Sequence, residues 1–264
     1  RKLFNYKIAP RYSFKSRSLT GSASIFKSHD IQNKNLYAIH YGIVGGYNSY
    51  AENLFVRQIT PSIQFRFRQN NDFRSNKKHW LSIRHVNIQR DRDDSNILTT
   101  TEPNYSVFNI RYVNSNDNLI NYKKWYTDFQ AGQDFSKVSF NYEYRRLFES
   151  NRQINIRAFA GAFLKNKTDI NSNYFSFALD RPTDYLFDYN YLGRSEASGI
   201  FSQQYITAEG GFKSKLETPF ANQWITTINM STTLWKYVLA YGDMGLVKNK
   251  FDSAHFVYDS GVRI

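Results

Sequence analysis

A chain of 264 residues without a cysteine, carrying 35 Lys and Arg against 22 Asp and Glu for a formal charge of +13, can hold no disulfide framework and no thiolate metal site. Its length admits one large β domain or two ordinary ones, and either buries a sizeable core. Mean hydropathy is −0.60, and no stretch approaches the about 18 consecutive apolar residues of a membrane-spanning helix.

That average leaves a strand-built membrane protein open, because alternate residues of each barrel strand face a polar interior and cancel the lipid-facing ones. Aromatic content favours that class: 22 Phe, 20 Tyr and 4 Trp make 17% of the chain, more than a polar soluble domain needs. The basic residues are spread rather than clustered, with Lys77-Lys78 read as a loop pair, so the charge points to no nucleic-acid patch.

In chain order the first predicted strand runs from about Phe4 to Phe14, with Phe4, Tyr6, Ile8, Pro10, Tyr12 and Phe14 on one face and aromatics flanking an aliphatic centre. Pro10 lacks an N–H and is expected to push this strand to an edge or a bulge. Further strands are expected at Leu19–Ser28, Leu36–Tyr47, Leu54–Arg68, Trp80–Gln89, Tyr105–Asn114, Trp125–Gln133, Val138–Leu147, Gln153–Leu164, Tyr174–Leu179, Tyr205–Leu216, Trp224–Leu234, Tyr237–Val247 and Phe256–Ile264. Ile63, Phe65 and Phe67 alternate cleanly with Gln64, Arg66 and Arg68, whereas the phase slips near Pro61 and His85-Val86, where bulges are expected. Val138, Phe140, Tyr142 and Tyr144 share the apolar face of the clearest strand, opposite Ser139, Asn141, Glu143 and Arg145.

Turns at Lys236 and near Ser136 are short, whereas Gln69–Lys78, Asp91–Asn104, Asn166–Asn173 and Asp180–Ser198 are long and polar, and short turns on one rim with long loops on the other is the habit of outer-membrane barrels. The fold class expected is all-β: a single antiparallel transmembrane β-barrel domain over residues 1–264, with about 12–14 strands. Arg1 opens the chain without an initiator Met or signal-like region, and the last strand stops in mid-pattern. A fragment of a longer chain is therefore expected, with an N-terminal domain and the last strands outside it.

Catalytic and metal signatures are absent from the sequence. His29, His40, His79, His85 and His255 show no zinc-ligand spacing, and no nucleophile elbow, P-loop or dinucleotide glycine pattern occurs. Asp91, Asp93, Ser95 and Glu102 mimic a calcium loop, but Asn96 stands where its glycine should be, and a solvated charged loop explains them better. Asn166-Lys167-Thr168 matches a common glycosylation tripeptide. Gly210-Gly211, inside a strand pattern, reads as a relief of crowding or a bend.

The inward charges expected to face the lumen are Arg66, Arg84, Arg111, Glu143, Arg145, Arg157 and Glu209, more as a structural ion-pair network than as a selectivity filter. A soluble β-sandwich, or a large open sheet with one dry face, predicts the same alternation; evenly spaced strands with aromatic ends weigh against both.

Asp184-Tyr185, Asp188-Tyr189, Leu192-Gly193-Arg194 with Glu196, Phe201-Ser202-Gln203-Gln204, Glu209-Gly210-Gly211-Phe212-Lys213 and Tyr258-Asp259-Ser260-Gly261-Val262-Arg263 resemble the C-terminal barrel region of the large M1-family (gluzincin) metallopeptidase-like proteins of the Bacteroidota. The resemblance covers about residues 180–264. It implies a bacterial outer-membrane anchor or scaffold, with the lipid bilayer and other outer-membrane proteins as partners. Any zinc would lie in a peptidase domain outside this segment, and no residue here matches that domain's H-E-x-x-H. A channel for small anionic solutes past Arg145 and Arg157, and a cell-surface zinc aminopeptidase acting through an absent domain, are the alternatives.

Overall fold

The structure is a computed structural model describing residues 4–13, 18–31, 33, 35–51, 54–67, 76–90, 104–167, 175–180, 185–188, 208–236 and 238–263. Its elements are β1 (Asn5–Ser13), β2 (Ser18–Asp30), β3 (Leu36–Ala51), β4 (Leu54–Phe67), β5 (Lys77–Arg90), β6 (Asn104–Asp117), β7 (Asn121–Gly132), β8 (Phe135–Leu147), β9 (Gln153–Asn166), β10 (Phe177–Ala178), β11 (Phe220–Ala221), β12 (Trp224–Trp235), β13 (Val238–Lys248) and β14 (Ala254–Arg263). No helix occurs among the described residues.

Twelve strands form one antiparallel sheet in the order β1 to β9 and then β12 to β14, a meander in which β9 pairs with β12 across the long connection; β10 and β11 pair with each other. Runs rich in Val, Ile, Thr, Tyr and Phe suit this pleated surface. Among the described residues β1 pairs with β2 alone, where Pro10 lies opposite Gly21. A Cβ on Gly21 would sit 2.7 Å from the Ala9 carbonyl oxygen, so glycine lets the two backbones meet at the proline.

Several expectations change. Lys77 and Lys78 open β5 rather than forming a loop. Ser136 lies within β8, where the register against β9 shifts between Ser136 and Lys137, and the β7–β8 turn falls at 133–134. At His85-Val86 the strand keeps its phase: His85 is exposed, and Val86 and Ile88 join Arg84 on the covered face. The hydrophobic residues change sides there while the backbone does not slip. The described part of Tyr174–Leu179, residues 175–179, contributes only the two-residue β10, and the described part of Tyr205–Leu216 is no strand: from Ala208 to Leu216 it is irregular and folded back onto the sheet. The long connections also do not share a rim, since in an antiparallel meander the β4–β5 connection leaves from the opposite end to β5–β6 and β9–β12.

The chain divides into two compact units: residues 1–66, 82–110 and 184–205, and residues 67–81, 111–183 and 206–264. In each, one sheet face is covered and the other exposed. The first unit covers Ala38, Val56, Thr60, Val86, Ile88, Val107 and Asn109 and exposes Tyr6, Ile8, Ile25, Ile43, Ile59 and Phe108. The second covers Asp128, Lys137, Asn141, Asn229, Asp243 and Asp259 and exposes Phe140, Ile228, Met230, Met244, Leu246, Phe256 and Tyr258.

Its apolar core is local. Phe159, Phe177, Leu179, Phe212, Ala221, Ile225 and Val247 form one cluster, with Phe163, Leu216 and Val257 against it. Each fully buried Phe, Leu or Ile here contributes about 1.5–3 kcal/mol. At the β13–β14 turn, Asp252 accepts from Ser253 N at 2.7 Å and pairs with His255 Nε2 at 2.8 Å. The His255 bond first, and then the backbone donor, hold its carboxyl below the usual carboxylate range.

Candidate functional site

The connection between β9 and β12 carries Glu209-Gly210-Gly211-Phe212-Lys213, and this stretch docks on the polar face of the second unit. Backbone bonds seat it first: Gly210 N donates to Ala178 O at 2.8 Å, Phe212 N to Leu179 O at 3.1 Å, and Leu179 N to Pro219 O at 2.9 Å. Gly211 has φ +77°, in the left-handed region that glycine tolerates best. A Cβ there would lie 2.5 Å from Asn229 Oδ1 and 2.7 Å from Arg157 Nη1, so the pair of glycines is a close approach of chain to sheet. Gly211→Ala is expected to destabilise the protein by about 1–3 kcal/mol, read as a lower denaturant midpoint with unchanged slope.

Around that seat the charges are committed. Arg157 of β9 donates from Nε to Asn141 Oδ1 at 2.7 Å, from Nη1 to Asn229 Oδ1 at 3.1 Å and from Nη2 to the Glu209 carbonyl at 2.8 Å. Glu209 accepts from Lys137 Nζ on one carboxylate oxygen and from Ala178 N on the other, both at 3.0 Å. Lys137, 3% exposed, also lies 4.8 Å from the Phe177 ring centre, so its charge meets a carboxylate and an aromatic face. Lys213 reaches Asp243 Oδ2 at 2.5 Å, while the amides of Lys213 and Ser214 both donate to Asp259 Oδ2, at 2.9 and 2.6 Å. β8, β9, β12, β13 and β14 thus each place a polar side chain on the same returning segment or its seat.

Beyond it, Arg111 pairs with Asp128 at 2.7 Å, Gln130 donates to the other Asp128 oxygen at 2.6 Å, and Glu143 accepts from Asn141 at 2.9 Å and Tyr122 at 3.3 Å. The guanidinium of Arg145 lies 5.3 Å from the Tyr122 ring centre.

The first unit repeats the device on a smaller scale. Residues 185–188 dock on its covered face: Gln58 donates to Leu186 O at 2.8 Å, Tyr105 to Tyr185 O at 2.5 Å, and Arg84 forks onto both Asp188 oxygens at 2.8 and 2.6 Å while its Nε donates to Asn109 at 2.7 Å. Phe187, between the anchored residues, has φ 52°, a left-handed conformation costly for a bulky side chain. Arg66 donates to Gln64 at 3.2 Å.

On the exposed face of the second unit, rings touch in a row across five neighbouring strands. Phe67 and His79 are 4.7 Å apart, His79 and Tyr112 4.9 Å, Tyr112 and Trp125 5.2 Å, and Trp125 and Phe140 6.1 Å. The Tyr112 hydroxyl also meets His79 Nε2.

The residues expected to face lipid fall as follows. Phe4, Tyr6, Ile8, Tyr12 and Phe140 are exposed, and Ile63, Phe65, Phe67, Val138, Tyr142 and Tyr144 are half-buried. Phe14 lies outside the described residues, as do the calcium-like loop residues and most of residues 184–204 used for the family resemblance. Of the expected inward charges, Arg84, Arg111, Glu143 and Arg157 share the covered side with their named partners. Glu209 differs: it comes from the returning segment rather than from a strand.

Sequence reasoning missed Asn141, Asn229, Asp243 and Asp259 as the seat, and the signal was available. Lys137, Asn141, Asp243 and Asp259 all occupy the polar phase of their strands, with Phe135, Phe159, Ile225 and Val247 marking an apolar patch in that same phase. The side-chain amide of Asn166 donates to Phe175 O and Asn222 O, which ties the end of β9 to the connection. No group of three or more His, Cys, Asp or Glu residues suited to a metal occurs among the described residues. No family model and no curated protein matches the chain.

Proposed function

We propose that the sheet is the wall of an antiparallel transmembrane β-barrel of a bacterial outer membrane and that it serves as anchor or scaffold for a peptidase-like parent protein or a larger membrane complex. The observation that carries this reading is inverted polarity. Asn141 is 0% and Asp243 2% exposed, while Met230 on the exposed face of β12 is 44% and Tyr258 of β14 69% exposed. A water-soluble sheet of this size places its apolar face inside; lipid reverses the preference. The row of rings from Phe67 to Phe140 supports it as an interfacial girdle.

Anchoring is favoured over conduction because the polar face of the second unit is occupied by the chain itself, with Arg157, Lys137 and Lys213 bound to its own carbonyl and carboxylate groups. The parent's peptidase character rests on the C-terminal resemblance, and zinc analysis with a peptidase assay on the native full-length protein tests it. For the anchor itself, the expected results are heat-modifiable migration in SDS gels, retention in membranes through alkaline extraction, and no ion conductance in planar bilayers. A monodisperse, detergent-free soluble form would remove the membrane reading; steady anion-selective conductance would replace the anchor with a channel.

A further inference from the structure

On the exposed face of β7 and β8, Lys123 pairs in register with Tyr144, and Arg146 lies opposite Asn121, one pleat further on. The two cations are therefore diagonal neighbours on adjacent strands, positions roughly 7–8 Å apart. Both are exposed. Lys123 Nζ lies 5.8 Å from the Tyr144 ring centre and the Arg146 guanidinium 5.2 Å from that of Phe148. Neither has a carboxylate partner among the described residues; nearby Asp117 takes Lys78 instead. Like charges placed side by side repel, and a shared anion removes the repulsion.

Beside them, and further along the strands, the same face is apolar. Register sets Tyr144 beside Ile156 and Arg146 beside Ile154, and Trp125 beside Tyr142 lies next along the strands, continuous with the row of rings. Two unneutralised cations at the edge of an aromatic and aliphatic surface match the cross-section of a phospholipid: phosphate above, acyl chains below.

We propose that Lys123 and Arg146 hold the phosphate of an anionic lipid headgroup, whose acyl chains lie along Ile156, Tyr142 and Trp125. This rests on the membrane reading above and names the lipid chemistry that this stretch of wall selects. Arg146 offers a planar fork to two phosphate oxygens and Lys123 a point charge to a third.

The full chain, purified in a neutral detergent and offered an equimolar mixture of phosphatidylglycerol and phosphatidylcholine, should retain phosphatidylglycerol in native mass spectrometry by about 25-fold, since each of the two surface cations contributes about fivefold and the factors multiply. K123Q/R146Q should lose that preference while keeping heat-modifiable migration as its sign of folding, and K123R/R146K should keep both. An unchanged preference in K123Q/R146Q, or no preference in the unmodified chain, overturns the site while leaving the membrane reading intact. Failure to retain either lipid overturns both.

Discussion

Replacing Glu209 by Gln is expected to lower stability by about 3 kcal/mol, because it removes a carboxylate partner from an almost fully covered ammonium. Lys137 would keep its charge beside the Phe163 and Phe177 rings, with 4% of its side chain exposed and the Glu209 carboxylate gone. Ala178 N would also face a weaker acceptor or an amide NH₂. The companion change Lys137→Met should restore much of the loss in the double variant, since a thioether fits the apolar surroundings and no covered ammonium remains. Chemical unfolding of the two single variants and the double variant measures this directly. Equal and additive losses would mean that the pair is not coupled and that the returning segment is held by its backbone bonds alone.

Placing a charge on the opposite face separates lipid from water most sharply. Ile228 sits mid-strand on the exposed side of β12, between Ala158 of β9 and Met244 of β13. In a bilayer, Ile228→Arg should cost about 2–4 kcal/mol, with the same change nearer a strand end costing about 1 or less. In water an arginine at a 43% exposed position would change stability by no more than about 0.5 kcal/mol. Folding titrations into phosphatidylcholine vesicles, for Ile228→Arg and for Leu234→Arg at the end of β12, read the depth dependence. A flat, near-zero profile would show that this face never meets hydrocarbon.

Much of the sheet could be read from alternation. The strand centred on Phe140 shows why: Val138, Phe140, Tyr142 and Tyr144 must lie on one side of an extended backbone, with Ser139, Asn141 and Glu143 on the other, whatever the neighbours. The same rule placed Arg84, Arg111 and Arg157 on the face where they are found bonded. It failed over residues 208–216, because a period of two gives a segment two sides but does not say whether neighbouring strands will pair with it. Gly211 at φ +77° cannot continue a ladder, and its reason for that conformation is Asn229 and Arg157, which approach from β12 and β9.

Alternating polarity along each strand is a local property of the backbone, so the sequence by itself determined the class of fold, the strand at nearly every position and the two chemically opposed faces. The closing of the polar face was decided by tertiary structure, since Glu209 finds Lys137, and Lys213 finds Asp243, across tens of residues of chain. Such pairings depend on which strands become neighbours and on the desolvation that makes each lone charge costly, and neither is written in any single stretch of the chain.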